Sequence, residues 1–551
     1  MGSAPYHEAK MAHVNLMIDT IIANLPEEGI RSVLRSMLAA DPTITPTFED
    51  RTRVYLEKSS MDVEERFFNV GKNRAEQTAE FHNAQQRLRC MLGCGMCYES
   101  IPLLTAIVQQ ASSLQQLSPS LEQALSVVDG DIIQAITAIQ KTLLMPSGTR
   151  SLTGPEKTPI LRLEKALCQC QDICRASGQP FSFERGLTAL QASSMSSEGS
   201  NASSPVNGTH SINLITVPPL PAGIETFQLG DRSLPRLFSG LWQLSSPSWG
   251  TTSIHKIKKQ FQRYAAQGFT AFDMADHYGD AEVIFGKFRA SCTQPEAVFG
   301  ATKWCIFTPT QVTADLVQAN ISERCERMSS DHVDLLQFHW QFYNDPQYIK
   351  ALKLLQADKR VHKLGLCNFD TQRMAEIAEA GVKIHTNQVQ FSLVDSRPAY
   401  KMGKICMKHG IKLLTYGTLL GGFIAEKWLG SPEPELFSND ITPSQRKYYE
   451  MILNWGSWSL FQELLRVLKT IADKHNVSIT NVATRWVLDF PYVGAVIVGT
   501  RWGVSDNAED NLKTYGLKLD DTDRAMIEEV QARTRRDQLI DLLGDCGGEY
   551  R

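Results

Sequence analysis

Gly268-Phe-Thr-Ala-Phe-Asp273-Met-Ala-Asp-His-Tyr278-Gly-Asp-Ala-Glu282-Val-Ile-Phe-Gly286 is the stretch on which the fold turns. Its first part, Thr270–Ala275, reads as a short buried strand that carries Asp273 toward its C-terminal end, with Tyr278 five residues on. Outward from it, seven more short Val/Ile/Leu-rich runs follow the same rhythm: Leu237–Leu244, Ala297–Trp304, Val333–Trp340, Lys363–Phe369, Ile384–Gln390, Lys412–Thr418 and Gly494–Thr500. Longer amphipathic stretches separate them, such as Ile254–Gln267, Ala314–Met328, Tyr348–Ala357, Arg373–Ala380 and Leu460–His475. Eight strands alternating with helices predict a parallel (β/α)₈ barrel, a TIM barrel with insertions. A doubly wound sheet would need a Gly-rich turn after its first strand, and Leu237–Gly250 holds no G-x-G-x-x-G.

In such a barrel the functional side chains sit at the C-terminal ends of the strands. Those positions are Trp242, Asp273, Lys303, His339, Asn368, Gln388, Tyr416 and Arg501. One Asp or His at a strand end is ordinarily a cap or a satisfied core group. Eight ends that converge on polar and titratable types point instead to a site.

The quoted segment resembles the aldo-keto reductase signature around the second strand of that family's barrel. Ala301-Thr-Lys303 and Val333-Asp-Leu-Leu-Gln-Phe-His339-Trp340 resemble its next two catalytic segments. Gly365-Leu-Cys-Asn368-Phe and Asn387-Gln388-Val-Gln-Phe-Ser resemble its nicotinamide-binding segments. The five motifs fall in the family's order over about residues 223–535.

The resemblance implies an NAD(P)H-dependent oxidoreductase that reduces an aldehyde or ketone to an alcohol. It makes Tyr278 the proton donor, Lys303 the charge that favours its phenolate, and Asp273 the partner that holds Lys303. His339 is implied to donate a hydrogen bond to the carbonyl oxygen. Asn368 and Gln388 match the residues that hold the nicotinamide carboxamide, and Tyr416 the aromatic on which the ring stacks. Arg501, in Val498-Gly-Thr-Arg501, matches an adenosine-phosphate clamp and favours NADPH, while Asp510 and Asn511 match the residues at the adenine edge. Read by itself, the Asp273 and Lys303 pair is also compatible with a buried ion pair that only supports the barrel, Tyr416 with core packing, and Arg501 with a solvated surface.

Three departures from the family pattern bear on the cofactor. Cys367 stands where serine is common, Asn507 where a second arginine is common (which leaves NADH open beside NADPH), and Leu419–Ser459, with Trp428, Trp455 and Trp458, is a long insertion that either covers the site or caps the barrel. Trp242, Trp304 and Trp340 follow strands one, three and four and, facing inward, wall an aromatic pocket suited to an apolar or planar carbonyl compound. No metal is expected.

Before the barrel the sequence has a different character. Apolar residues recur at helical spacing from about Ala9 to Leu144, as in Val14, Met17, Ile18, Ile21 and Ile22, and again over Ala84–Tyr98, Leu103–Ala111 and Asp131–Leu143, with a last stripe at Leu161–Ser177. No alternating pattern interrupts them, so residues 1–190 are expected to form an all-α domain. Cys90, Cys94 and Cys97 have the spacing of an iron–sulfur loop, but inside a helical stretch without parallel strands they read as small core residues. Residues 191–220, rich in Ser, Asn, Gly and Pro, read as a flexible linker; the sequons at Asn201 and Asn207 read as idle. The barrel domain is then 221–551. The helical front on its tether suits self-association or partner binding, and the alternatives to a simple reductase are a nucleotide-binding regulatory or redox-sensor subunit and a bifunctional enzyme.

Composition narrows the classes further. With 551 residues, 21% charged, 42% hydrophobic and a formal net charge of −4, the chain is an ordinary globular protein of several domains. That charge balance gives no footprint for nucleic acid. No apolar run is long enough to span a bilayer, no secretory leader is read at the start, and twelve cysteines are too sparse for a disulfide framework, so a cytoplasmic protein is expected.

Overall fold

The computed structural model describes residues 21, 24–59, 66–70, 75–145, 148–191, 214–245, 254–438, 440–502 and 504–550. The helical spacing at Val14, Met17 and Ile18, Ile22, most of the expected linker, and the positions Asn201 and Asn207 lie outside the described residues.

The front contains seven helices among the described residues: α1 (Glu27–Ala40), α2 (Thr45–Lys58), α3 (Ala79–Gly93), α4 (Cys97–Ala111), α5 (Pro119–Leu143), α6 (Gly154–Ser177) and α7 (Glu184–Gln191). Leu88, Leu104, Ile107, Leu121, Val128 and Leu167 are fully buried between α3 and α6 and form the main apolar core of the unit, while Leu56 of α2 packs in a small separate group with Met91, Cys94 and Met96. The all-α expectation needs one correction. Two antiparallel hairpins are present, β1 (Phe68–Val70) with β2 (Ala75–Gln77) and β3 (Leu144–Met145) with β4 (Gly148–Thr149). Strands of two or three residues are too short to show a period of two. A second correction concerns the cysteines. Gly95, at φ 83°, ends the helix expected over Ala84–Tyr98, so Cys94 and Cys97 are buried but Cys90 is exposed.

Burial raises the Asp129 carboxyl to about 7 and the Asp131 carboxyl to about 6, against the charges of Arg185 and Arg89. Both groups lie on α5. A carboxyl whose folded pKa is raised leaves stability intact below its unfolded value near 4 and removes it as pH climbs to the folded value. The urea midpoint of the helical unit is therefore expected to fall between pH 4 and 7, by on the order of a few kcal/mol in unfolding free energy. Asp129→Asn is expected to flatten that profile, and an unchanged slope would remove Asp129 as its source.

After a hairpin, β5 (Thr226–Leu229) and β6 (Arg232–Pro235), eight strands alternate with helices: β7 (Leu237–Gly240), β8 (Ala271–Asp273), β9 (Phe299–Ile306), β10 (Leu335–Trp340), β11 (Leu364–Cys367), β12 (Thr386–Gln390), β13 (Lys412–Tyr416) and β14 (Val493–Gly499). They pair in parallel and close on themselves through β14 against β7, a (β/α)₈ barrel. Around it run α8 (Ile254–Ala266), α9 (Ala281–Ala290), α10 (Ala314–Arg327), α11 (Gln347–Ala357), α12 (Thr371–Glu379) and α13 (Met402–His409). The inside of the barrel floor is filled by Phe238, Ala271, Phe299, Ala301, Leu335 and Leu414, and the hairpin packs Phe227 against Gly494 from below. Polar side chains therefore gather at the opposite rim.

The long insertion forms α14 (Pro443–Trp455) and leads into α15 (Trp458–His475), followed by α16 (Ile479–Leu488). Its tryptophans are packing groups: Trp455 is fully buried, and Trp428 and Trp458 meet Phe423 at 4.7 and 5.8 Å between ring centres. The chain ends with α17 (Ala508–Leu512), α18 (Asp521–Gln531), α19 (Leu539–Leu543) and a turn over Gly548–Tyr550 that returns to the rim. Among the described residues no helix is long and apolar enough to cross a membrane.

Candidate active site

Alternation along the strands decides what reaches the rim interior. On β9, Ala301, Lys303 and Cys305 face inward and pair in register with Leu335, Gln337 and His339 of β10. Lys303 and Asp273 are almost wholly buried, and the ammonium donates to Asp273 Oδ2 at 2.7 Å and to the Met274 carbonyl at 2.7 Å. The same nitrogen lies 3.4 Å from the Tyr278 hydroxyl. Groups from β8, from the loop that follows it and from β9 thus meet at one point.

The other oxygen of Asp273 accepts from Gln337 Nε2 at 3.0 Å and from Gln388 Nε2 at 2.7 Å. Both carboxylate oxygens are engaged, which fixes the rotamer of Asp273 and the position of Lys303. His339 is buried beside them with Nδ1 3.0 Å from the Cys367 carbonyl. A carbonyl cannot donate, so Nδ1 carries the hydrogen.

The electrostatics follow from burial and the charge of Lys303. Burial opposes the Lys303 charge, but Asp273 and the Tyr278 oxygen outweigh it and hold the ammonium above its ordinary value. Burial likewise pushes the Tyr278 phenol above the usual tyrosine value, a rise that the attraction of Lys303 reduces but does not cancel. The phenol is held protonated at neutral pH, 3.4 Å from a fixed positive charge.

Of the other expected residues, Asn368 and Tyr416 come together: the Tyr416 hydroxyl donates to Asn368 Oδ1 at 2.9 Å, with Asn368 in the left-handed region at φ 58°. Gln388 is turned down onto Asp273 and Gln337 rather than toward Asn368. Arg501 is exposed beyond β14, with its neighbour Trp502 anchored on Phe261. Asp510 accepts from Ser478 and Thr480 at the start of α16, and Asn511 is half-buried next to it.

The aromatic wall needs correction. Lys303 and His339 face inward, so their neighbours Trp304 and Trp340 face outward into the layer between strands and helices. Trp304 packs on Phe338 at 5.1 Å, and the buried Trp340 donates to the carbonyl of Phe342 at 2.7 Å. Neither lines the rim. Trp242, 42% exposed, is on a short turn after β7.

Phe307 and Tyr550 take the expected place beside His339, with ring centres 5.7 and 5.6 Å from the imidazole. The Tyr550 hydroxyl meets the Tyr416 hydroxyl at 3.1 Å and accepts from Lys447 at 2.9 Å. Gly547, just before it, lies so close to the Asn368 carbonyl that no side chain fits there. No local signal announces Tyr550, which is 134 residues from Tyr416.

Among the described residues two other groups of possible metal donors assemble, and both are already engaged. In Asp276, His277 and Cys305, the carboxylate accepts from His277 and the Cys305 amide with the Arg324 guanidinium 3.9 Å away. In His332, Asp334 and His362, Arg289 lies 3.0 Å from both Asp334 and His332.

Comparison with known proteins sets this geometry in context. The family model described as Aldo/keto reductase family matches residues 236–532, just over half of the chain. The chain is similar to Flagellar radial spoke protein 5 of Chlamydomonas reinhardtii, 34% identical over 193 residues, which are 31% of this chain and 36% of that one. It is also similar to Aldo-keto reductase YhdN of Bacillus subtilis, 25% identical over 291 residues, 51% of this chain and 82% of the relative. Thus the chain spans about a third of the spoke protein's length and about four-fifths of YhdN's. Among solved structures, glycerol dehydrogenase from Gluconobacter oxydans is 20% identical at a TM-score of 0.47, covering 57% of this chain and 97% of its own.

Proposed function

The chain belongs to the aldo/keto reductase family, and from that premise we propose that it reduces an aldehyde or ketone to an alcohol with NADPH, Tyr278 acting as general acid. The observation that carries the reading is the Lys303 ammonium, shared between Asp273 at 2.7 Å and the Tyr278 oxygen at 3.4 Å.

The residues at the rim suit a nicotinamide dinucleotide in kind. Asn368 offers an amide for a carboxamide, Tyr416 an aromatic ring for a planar heterocycle, and Arg501 a guanidinium for a phosphate. Asn368 follows β11, Tyr416 ends β13 and Arg501 follows β14, the last two strands being neighbours in the barrel. Tyr550 touches Tyr416 at its hydroxyl, the rim of the ring. When bound, the nicotinamide supplies the hydride.

What the chain's own residues do is proton and charge management. The phenol of Tyr278 stays protonated until an alkoxide forms beside it, then passes its proton to that oxygen. Lys303 stabilises the phenolate left behind, and Asp273, locked by Gln337 and Gln388, keeps Lys303 in place. His339 uses Nδ1 on Cys367; a second donation, from Nε2 to the substrate oxygen, requires the imidazolium. The burial of Asp273, Lys303 and His339 strengthens these interactions.

Separate apolar cores in the helical front and in the barrel support the same division of the chain, with a helical unit over 1–190, a connector over 191–220 and a reductase barrel over 221–551. The test is turnover of a generic aldehyde by the full chain, followed through nicotinamide absorbance with NADPH and with NADH. Nucleotide binding without turnover of any carbonyl would defeat the proposal in favour of a sensor. For the cofactor, Arg501→Ala is expected to weaken NADPH about tenfold or more and NADH hardly at all, from loss of charge-assisted bonds to a 2′-phosphate. Equal weakening of both nucleotides would remove the argument for NADPH.

A further inference from the structure

The helical front touches the barrel at a place with chemical consequence. Arg185, in the first turn of α7, sends its guanidinium across to Asp280, Nε to Oδ2 at 3.0 Å and NH2 to Oδ1 at 2.7 Å. Both side chains are at most 4% exposed. A bidentate fork of this kind fixes direction as well as distance. Asp280 is two residues beyond Tyr278, and it occupies the cap position of α9 without capping it, its carboxylate being committed to Arg185.

The segment between Tyr278 and α9, with the first turn of that helix, is also held from within the barrel. Arg327 donates to the Gly279 carbonyl at 2.5 Å and to Glu282 at 2.7 Å. Arg324 adds a bridge to Glu282 at 3.1 Å. These grips come from α10 of the barrel. Arg185 is the grip that comes from outside it.

Arg185 is itself rigidly seated. Its amide and that of Gly186 donate to the two oxygens of Asp129 on α5, at 3.3 and 2.6 Å. Gly186 lies so close to Ile132 and Asp129 that a methyl group there would collide with both. Leu187 and Leu190, on the same short helix, are in the core of the helical unit. Farther along, Thr188 accepts from Lys287 of α9 at 3.0 Å, continuing the contact along the barrel helix. A displacement of the helical unit is therefore passed to Asp280 directly.

We infer that Arg185 is a positioning residue for the reductase site: the helical unit, through this buried fork, holds the loop that carries the Tyr278 hydroxyl in register with Lys303. The inference rests on the reading of Tyr278 as the acid. It gives the front of the chain a share in the reaction without any contact with substrate, and makes the barrel's chemistry depend on the docking of the helical unit.

The test uses the full chain and the variants R185K, R185M and D280N, with the double variant R185M/D280N. In R185M, kcat is expected to fall about tenfold to a hundredfold, the size of loss that a small misplacement of a reacting group produces, while KM for the carbonyl and nucleotide affinity stay within about twofold. R185K keeps the charge without the fork and should fall between wild type and R185M. The double variant should lose no more than the worse single one, because both act through one contact. Hydrogen exchange gives a reading that needs no turnover: amides of residues 276–284 should exchange at least about tenfold faster in R185M, with the β9 and β10 amides unchanged. An unaltered kcat in folded R185M, additive losses in the double variant, or faster exchange throughout the barrel would each overturn the inference. Should the wild type reduce no carbonyl, the reductase reading fails by itself, and the exchange result then decides whether Arg185 holds the loop.

Discussion

Tyr278→Phe is expected to lower carbonyl reduction by about 10²- to 10⁴-fold while leaving nucleotide affinity within about twofold, since it deletes one hydroxyl and keeps the ring. The ring retains its contact with His277, at 4.8 Å between centres, so packing gives no second reason for a loss. Lys303 and Asp273 keep each other, because their 2.7 Å bond does not pass through the phenol. The loss therefore isolates the proton. Burial keeps the Tyr278 pKa above the ordinary tyrosine value, so reduction should show no decline from loss of this proton across the neutral range. Turnover in the phenylalanine variant above about a tenth of wild type would reassign the acid.

Lys303→Met is expected to be the more damaging change to the molecule as a whole. It strips the charge partner from Asp273, 3% exposed and left with the neutral amide donors of Gln337 and Gln388. Breaking a buried pair from one side costs about 3–5 kcal/mol, because the remaining charge is neither solvated nor paired. Activity should fall by about 10²-fold or more as well, since the phenolate of Tyr278 loses its stabilising cation. The double variant Asp273→Asn with Lys303→Met separates the two effects: most of the stability should return and none of the activity. Urea denaturation and steady-state rates on the same samples read both. A Lys303→Met protein as stable as wild type would mean that the pair is solvated after all, and a double variant with restored turnover would take the ammonium out of the mechanism.

The eight strands and their order were legible because a barrel buries each strand on both sides and so prints a continuous apolar run. Asp273, Lys303 and His339 were legible because strand ends are where polar types must appear once the barrel floor is filled. Local sequence misplaced Trp304 and Trp340. They adjoin the right residues, but a period of two sends neighbours to opposite faces, and only the register of β9 with β10 shows which face belongs to the rim.

The amino-acid pattern alone determined the barrel, the helical character of the front, and the polar residue types placed at the strand ends, since periodicity and strand-end polarity are local properties of the chain. Only the tertiary structure decided that Gln388 turns to Asp273, that Tyr550 closes beside His339, and that Arg185 reaches Asp280. Those are contacts across 115, 211 and 95 residues, made by side chains whose partners are chosen by how the units dock, and no period along the sequence encodes a docking.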